Sequence, residues 1–218
     1  RPVRTDVVEA AGLSATAWEH LPGTGAPIDW RSVGRLVRRT HAIESSELPG
    51  AYPLPRPSDF PWWNFSALLD EVADVLDDRA RGGIQEAIDR WPDWDDPDGS
   101  VVCHGDVHPG NVITSARGPV LIDWDLLCWA PPGWDHAPMM TWASRWGGEA
   151  SWYADFAEGY GQSMFGDRSA EAFAELRLVA ATLMRLTAGL ANPAAMPEAQ
   201  RRLAYWRGDS DAPTWQAQ

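Results

Sequence analysis

His104-Gly105-Asp106-Val107-His108-Pro109-Gly110-Asn111 follows one short apolar run, and Leu121-Ile122-Asp123-Trp124-Asp125 closes another. These residue types in this order suit transfer of a nucleotide γ-phosphoryl group to a hydroxyl. That reaction needs a carboxylate to orient and deprotonate the acceptor, and oxygen ligands for the Mg²⁺ ions that neutralise the triphosphate. An Asp with an Asn five residues later on one tight loop can aim the carboxylate at the acceptor and the amide oxygen at the metal. A second Asp at the end of the adjacent strand then closes the metal site from the other side. Asp106, Asn111 and Asp123 have that order and spacing. A different chemistry competes for the same residues: His104, Asp106 and His108 alternate as the zinc or iron ligands of a metal-dependent hydrolase do. Asn111 and the Asp123 strand argue against that hydrolase.

Strands and helices must carry these side chains. Residues 101–103 and 120–122 are short apolar runs bounded by turn residues, the pattern of small buried strands, with Val112 and Ile113 forming a third between them. Upstream, residues 2–8 and 13–19 read as a hairpin divided by Ala10-Ala11-Gly12. From Asp29 the pattern turns helical, with Val33, Leu36, Val37 and Ile43 on one side and His41 as a packed or capping residue. Prolines 49, 53, 55, 57 and 61 impose an extended loop; its Trp62 and Trp63 are read with the other tryptophans as core and interface rings, with a place lining a substrate cleft as the alternative. Asn64 caps a helix whose buried stripe runs Phe65, Leu68, Leu69, Val72, Val75 and Leu76. A further helix is expected over 84–91, then a solvated acidic turn over 92–99. Beyond Pro131-Pro132-Gly133 the spacing predicts helices over 134–144, 149–163, 169–190 and 197–207, with a frayed tail after Gly208. Tyr153, Phe156 and Tyr160 have helical spacing and belong to the core.

Composition narrows the classes. A chain of 218 residues makes one compact domain or two small lobes. With 44% hydrophobic and 22% charged residues it is an ordinary globular protein, neither disordered nor collagen-like. No apolar run reaches the roughly 18 residues of a membrane span, because Arg185 interrupts the best candidate, so a soluble chain without a membrane partner is expected. Cys103 and Cys128 are too few for a disulfide framework and suit a reducing cytoplasm. A net charge of −13 excludes a general nucleic-acid binder and permits a cationic partner. All 18 basic residues are arginine, so this chain supplies neither a Schiff-base lysine nor a phosphate-clamping one. It opens on Arg1 and not on Met, which marks a processed, trimmed or unrecorded start.

Residues 102–135 as a whole resemble the catalytic core of the aminoglycoside phosphotransferase and choline kinase family, relatives of the protein kinases. That family shows His-Gly-Asp-x-His-x-x-Asn, then an apolar-Asp-Trp-acid strand end, then an acidic residue about a dozen positions on, here Asp135. Trp18-Glu19-His20-Leu21-Pro22-Gly23 resembles its hinge strand, and residues 33–41 the first helix of its large lobe. The resemblance implies an α+β, protein-kinase-like fold. Residues 24–218 would form a mainly helical catalytic lobe with short site strands, and residues 1–23 a remnant of the small lobe and hinge.

The same resemblance implies roles. Asp106 would be the catalytic base or acceptor-orienting carboxylate, with His104 and His108 shaping its loop. Asn111 and Asp123 would hold Mg²⁺, Asp125 would add charge behind them, and Asp135 would accept N–H bonds from the loop backbone. The backbone of Glu19, His20 and Leu21 would face the adenine of ATP, or the guanine of GTP. Ala130 stands where the family usually has glycine, and His136 where it often has leucine.

The family's nucleotide-covering loop, third-strand lysine and paired helix glutamate have no counterpart here. Either they precede Arg1 in the natural protein or the kinase is defective; the complete metal-binding set favours the first, and the isolated chain is expected to be inactive without upstream residues. A cationic, amine-bearing acceptor would suit Glu149, Asp155 and Glu158, which lie where aminoglycoside kinases bind substrate amines. The family also phosphorylates choline, homoserine, sugars and macrolides. A noncatalytic, pseudokinase-like module that captures a small amine is the alternative.

Overall fold

The computed structural model describes residues 3, 7–48, 54–94 and 99–216. Of the sequence readings, Pro2, residues 4–6, Pro49, Pro53 and the acids at 95, 96 and 98 lie outside the described residues. Strands β1 (Val8–Ala10) and β2 (Leu13–Ala15) form the expected hairpin, shorter than the sequence suggested. Ala11 and Gly12 both take positive φ, 53° and 78°, as a two-residue hairpin turn demands.

Helix α1 (Trp30–His41) begins where the Asp29 carboxylate accepts the Ser32 N–H, and α2 (Phe65–Glu71) where the Asn64 side chain accepts that of Ala67. The α2 stripe was read too long, since residues 72–75 form a turn, although Val72 and Leu76 are buried all the same. Helix α3 (Asp78–Asp89) starts six residues before its expected first residue, capped by Asp77. Gly82 and Gly83 lower helix propensity and hid that turn. Gly83 is required for close approach: a Cβ there would strike the Trp206 carbonyl oxygen.

The site strands are β3 (Val101–Cys103), β4 (Val112–Ser115), β5 (Gly118–Leu121) and β6 (Cys128–Ala130). β3 pairs antiparallel with β6, Cys103 opposite Cys128, and β4 pairs antiparallel with β5, Val112 opposite Leu121. β6 was not read from the sequence, because three residues carry too little periodicity. The remaining helices are α4 (Gly133–Trp146), α5 (Ala150–Tyr160), α6 (Arg168–Ala191) and α7 (Met196–Trp206), each near its expected bounds.

Two apolar clusters hold these elements. In the larger, α6 contributes Phe173, Leu176, Leu183 and Leu186 against Trp134 of α4 and Leu203 of α7. In the smaller, Val33 and Val37 of α1 meet Phe156 of α5 together with Val107, Val112 and Leu121. Cys103 belongs to the first cluster and Val107 to the second, so the loop between β3 and β4 is clamped at their junction. Trp63 is core, and Trp62 stacks on Phe60 and Trp134; the proline-rich loop therefore packs these rings inward instead of lining a cleft with them. The tail is also ordered by packing. Trp215 is buried between Trp146 and Tyr205, and its backbone N–H donates to the Arg145 carbonyl at 2.6 Å. Among the described residues no helix is long and apolar enough to cross a membrane.

His136 gives this core a pH response. Its ring is fully buried among Tyr153, Phe156 and Tyr160, and burial, with the neighbouring His41 adding to it, pushes the imidazole down from 6.5 to about 4. The folded state therefore binds this proton less readily than the unfolded chain, and stability present above pH 6.5 is lost as pH falls towards 4. Replacing His136 by Leu should remove about 3 kcal/mol of that loss. Urea unfolding of parent and His136→Leu at pH 7 and pH 4 checks it; equal losses in both would refute the assignment.

Candidate active site

The loop after β3 is built around a buried carboxylate. Asp135, on the first turn of α4, is fully buried and accepts three N–H bonds: from the His104 backbone at 2.8 Å, the Gly105 backbone at 2.8 Å and His41 Nε2 at 3.0 Å. Burial works to raise this carboxyl, but the His41 bond and charge and the Gly105 N–H outweigh it, so Asp135 stays ionised well into the acid range. His41 is held from its other nitrogen by the Tyr160 hydroxyl at 2.9 Å, which makes it the packed residue expected. Gly105 sits at φ 94°, where a Cβ would collide with the Leu126 carbonyl oxygen, so the turn presenting Asp106 admits only glycine.

His104 is fully buried with both ring nitrogens in use. Nε2 meets the Ile122 carbonyl oxygen at 3.0 Å and Nδ1 accepts the Asp106 N–H at 3.2 Å. It is a positioning residue that ties the loop to the end of β5. The hydrolase ligand set loses a member on this ground, since no lone pair of His104 is left for a metal.

Asp106 faces outward from this frame. Asn111 Nδ2 donates to its backbone oxygen at 2.9 Å and to Oδ2 at 3.1 Å, His108 Nε2 lies 3.3 Å from Oδ2, and Arg177 Nη1 lies 3.5 Å from Oδ1. Burial tends to raise the Asp106 carboxyl, yet the His108 hydrogen bond and the Arg177 and histidine charges hold it below the ordinary carboxylate range. It is a carboxylate at neutral pH, ready to accept a hydrogen bond. Arg177 also donates to the Gly105 carbonyl and lies over the Trp134 ring, 4.2 Å from its centroid. The sequence reading missed it. Its signal was a lone charge in the buried stretch Leu176-Arg177-Leu178 of a helix otherwise facing the core.

With both Nδ2 protons committed to Asp106, the Asn111 carbonyl oxygen is left as the acceptor of that buried side chain. The Ile122 N–H bonds the Asn111 backbone oxygen at 3.0 Å and so brings the end of β5 against Asn111. The next residue, Asp123, is exposed and sits at φ 62°, a left-handed conformation that costs a non-glycine residue on the order of 1–2 kcal/mol. An amide oxygen and a carboxylate are hard oxygen donors, a pair that fits Mg²⁺ and not a soft metal. Asp125 is exposed on the same turn.

Glu19, His20 and Leu21 lie on the irregular segment between β2 and α1. That segment is stitched to β4 a little further on, where the Thr24 N–H and hydroxyl both donate to the Thr114 carbonyl oxygen at 2.8 and 3.0 Å. Beside Asp106 opens a cavity of about 420 Å³ between α4 and α6, walled by Trp142 and Trp146 on one side and Leu178 and Met184 on the other. His108 stacks flat on Trp142, with ring centroids 5.3 Å apart and planes 8° from parallel. Glu149, Asp155 and Glu158 do not line this cavity; Asp155 and Glu158 pair with Arg31 at the surface.

Several solved structures share this fold. The complex of spectinomycin phosphotransferase APH(9)-Ia with ADP and spectinomycin superposes with a TM-score of 0.63 at 18% identity, over 95% of this chain and 74% of the other. The GDP and kanamycin complex of APH(2")-IIia gives 0.62 at 17% identity, over 96% and 76%. A choline/ethanolamine kinase family protein from Mesorhizobium loti gives 0.59 at 18% identity, over 95% and 73%. No curated protein matches the sequence. The sequence model of the phosphotransferase enzyme family, in contrast, matches residues 7–179, the hairpin through the middle of α6. The kinase-like α+β architecture and this match agree, and the chain belongs to the phosphotransferase enzyme family.

Proposed function

We propose that this chain carries the catalytic lobe of a Mg²⁺-dependent kinase that transfers the γ-phosphoryl group of ATP or GTP to a hydroxyl of a small molecule. The observation that carries this reading is the double hydrogen bond from Asn111 to Asp106, which turns the carboxylate towards the cavity and leaves the amide oxygen for the metal. Asp106 accepts a hydrogen bond from the acceptor hydroxyl and aligns its oxygen with the phosphorus. As the O–P bond forms, the bond from the γ-phosphorus to the β,γ-bridging oxygen breaks, ADP or GDP leaves with that electron pair, and the hydroxyl proton passes to Asp106. A carboxylate held below its ordinary range is a weak base, which suits a loose transition state in which the proton leaves late. Arg177 and His108 fix the carboxylate, and the walls of Trp142 and Trp146 hold the acceptor and keep water away. Asn111 and Asp123 would hold Mg²⁺, which when bound neutralises charge on the triphosphate. Glu19, His20 and Leu21 would offer their backbone to the base. Free, buried Cys103 and Cys128 accord with a cytoplasmic enzyme.

An acceptor screen with ATP and GTP, with and without Mg²⁺, tests the reading. Nucleotide binding without transfer to any acceptor, in this chain and in any longer natural form alike, would instead favour a pseudokinase-like binding module. Asp123→Ala should raise the Mg²⁺ concentration needed for half-maximal nucleotide binding at least about tenfold, the loss of a ligand worth about 1.4 kcal/mol. An unchanged Mg²⁺ requirement in the titration would remove Asp123 from the metal site.

A further inference from the structure

The charge inside the acceptor cavity is opposite to that of the chain. Although the net charge is −13, the cavity beside Asp106 is lined, among the described residues, by three guanidinium groups, Arg177, Arg185 and Arg202, and by a single carboxylate, Asp106 itself. Two of the three are committed. Arg177 donates to Gly105 and faces Asp106, while Arg202 is buried with donors on Glu198, the Ala181 carbonyl and the Gln216 carbonyl. Arg185 is half-buried and makes no hydrogen bond or ion pair with any described residue. It is a cation with unused donors, held on the wall of an apolar cavity.

Position along α6 gives the distance scale. Arg177 and Arg185 are eight residues apart, about 12 Å of helix rise, and Leu178, Ala181 and Met184 separate them on the same face. Trp142 and Trp146, stacked on each other at 5.3 Å, run along the opposite wall. A molecule lying in this cavity with its hydroxyl at Asp106 therefore passes between apolar and aromatic walls and ends at Arg185. An ammonium there would meet a guanidinium and no acid. The carboxylates that could have received it, Asp155 and Glu158, are paired with Arg31 outside the cavity.

We propose that the acceptor is a hydroxylated organic anion with an apolar body, its negative group bound by Arg185, in place of the cationic acceptor that the net charge suited. This assignment rests on the phosphotransfer reading for the placement of the hydroxyl, and on the cavity alone for the anion. Arg185 is a specificity-determining residue, since a guanidinium pairs a carboxylate or phosphate with two parallel hydrogen bonds.

Three probes of one length separate the charge classes: 8-hydroxyoctanoate, 8-aminooctan-1-ol and octane-1,8-diol, titrated into the 218-residue chain by calorimetry. The acid should bind at least about tenfold more tightly than the amine, with the diol between them. Arg185→Gln should bring the acid-to-amine ratio close to one, Arg185→Lys should keep part of it, and Met184→Ala should weaken all three probes alike. Should Arg185→Gln not fold, the salt dependence of the parent decides, because the acid must lose affinity with ionic strength and the diol must not. An amine that binds as well as the acid, a ratio that survives Arg185→Gln, or no binding of the acid up to millimolar concentration would each overturn the proposal. A parallel transfer assay separates the two readings. Phosphorylation of amines without binding of the acid overturns the anion site and leaves the kinase. Arg185-dependent binding of the acid with no transfer to any acceptor, in this chain and in any longer natural form alike, keeps the anion site and overturns the kinase.

Discussion

Asp106→Asn is expected to lower kcat at least about a hundredfold while nucleotide affinity changes little, measured in whichever form of the protein, this chain or a longer natural one, shows turnover. The substitution is nearly isosteric, and the new amide oxygen can still accept the Asn111 Nδ2 bond that organises the loop. What it removes is the ability to take the hydroxyl proton and the charge that meets His108 and Arg177. The loop itself should hold, because its backbone is fixed by Asp135 and His104 and not by Asp106. A loss confined to kcat, with the unfolding midpoint unchanged, is the signature of a group acting in the transition state. Near-normal turnover would take Asp106 out of the mechanism, and a loss spread over nucleotide affinity and stability would make it a structural residue.

The physical reason this loop was legible in the sequence is that its constraints are local. Gly105 has to be glycine because of the Leu126 carbonyl, the spacing from Asp106 to Asn111 has to span one tight turn, and Asp123 has to follow β5 directly. Each of these is written in consecutive residues. Asp135 lies about thirty positions from the N–H groups it accepts, and its role was read through resemblance; the structure gives it the geometry that resemblance implied. The misread elements share a different cause. Gly82 and Gly83 look like a helix break, and only the approach of α7 explains why a helix carries them. Trp215 sits in a loop-like stretch, and whether such a ring faces solvent or core depends on partners such as Trp146 and Tyr205, remote from any local pattern.

The cavity beside Asp106 was the least legible part, for the same reason. Arg177 and Arg185 belong to one helix and Trp142 and Trp146 to another, and their common wall exists only once α4 and α6 are docked. Net charge permits a cationic partner and no more, because it sums over the whole surface. Acids such as Asp155 and Glu158, spent on a surface arginine, contribute to that sum and not to the field inside the cavity. Local charge, which decides what a cavity binds, is a property of the packing.

Assayed by itself, the 218-residue chain is expected to be folded yet nearly silent, with kcat below about 0.01 s⁻¹, at least a hundredfold under the roughly 1–100 s⁻¹ of kinases in general. Folding follows from the two cores, which draw on α1 to α7 and bury Trp134, Phe156, Phe173 and Leu183 completely. A single cooperative unfolding transition should report it. Silence follows from the phosphates. Positioning and electrostatics supply nearly all of phosphoryl-transfer catalysis, and the chain holds no lysine to fix a triphosphate in line with the acceptor. Its arginines near the site do not replace one. Arg177 is held by Gly105 and Asp106, Arg202 by Glu198, and Arg185 stands two turns of helix away from Asp106's partner Arg177. The exposed β1–β2 hairpin has strands of three residues each, too short to lay a covering loop over a nucleotide. Turnover at several per second from this chain, with ATP or GTP and an acceptor found in the screen, would show that another set of groups holds the phosphates. Turnover that appears only in a longer natural form, and disappears on replacing a lysine there, would identify the clamp that these residues do not contain.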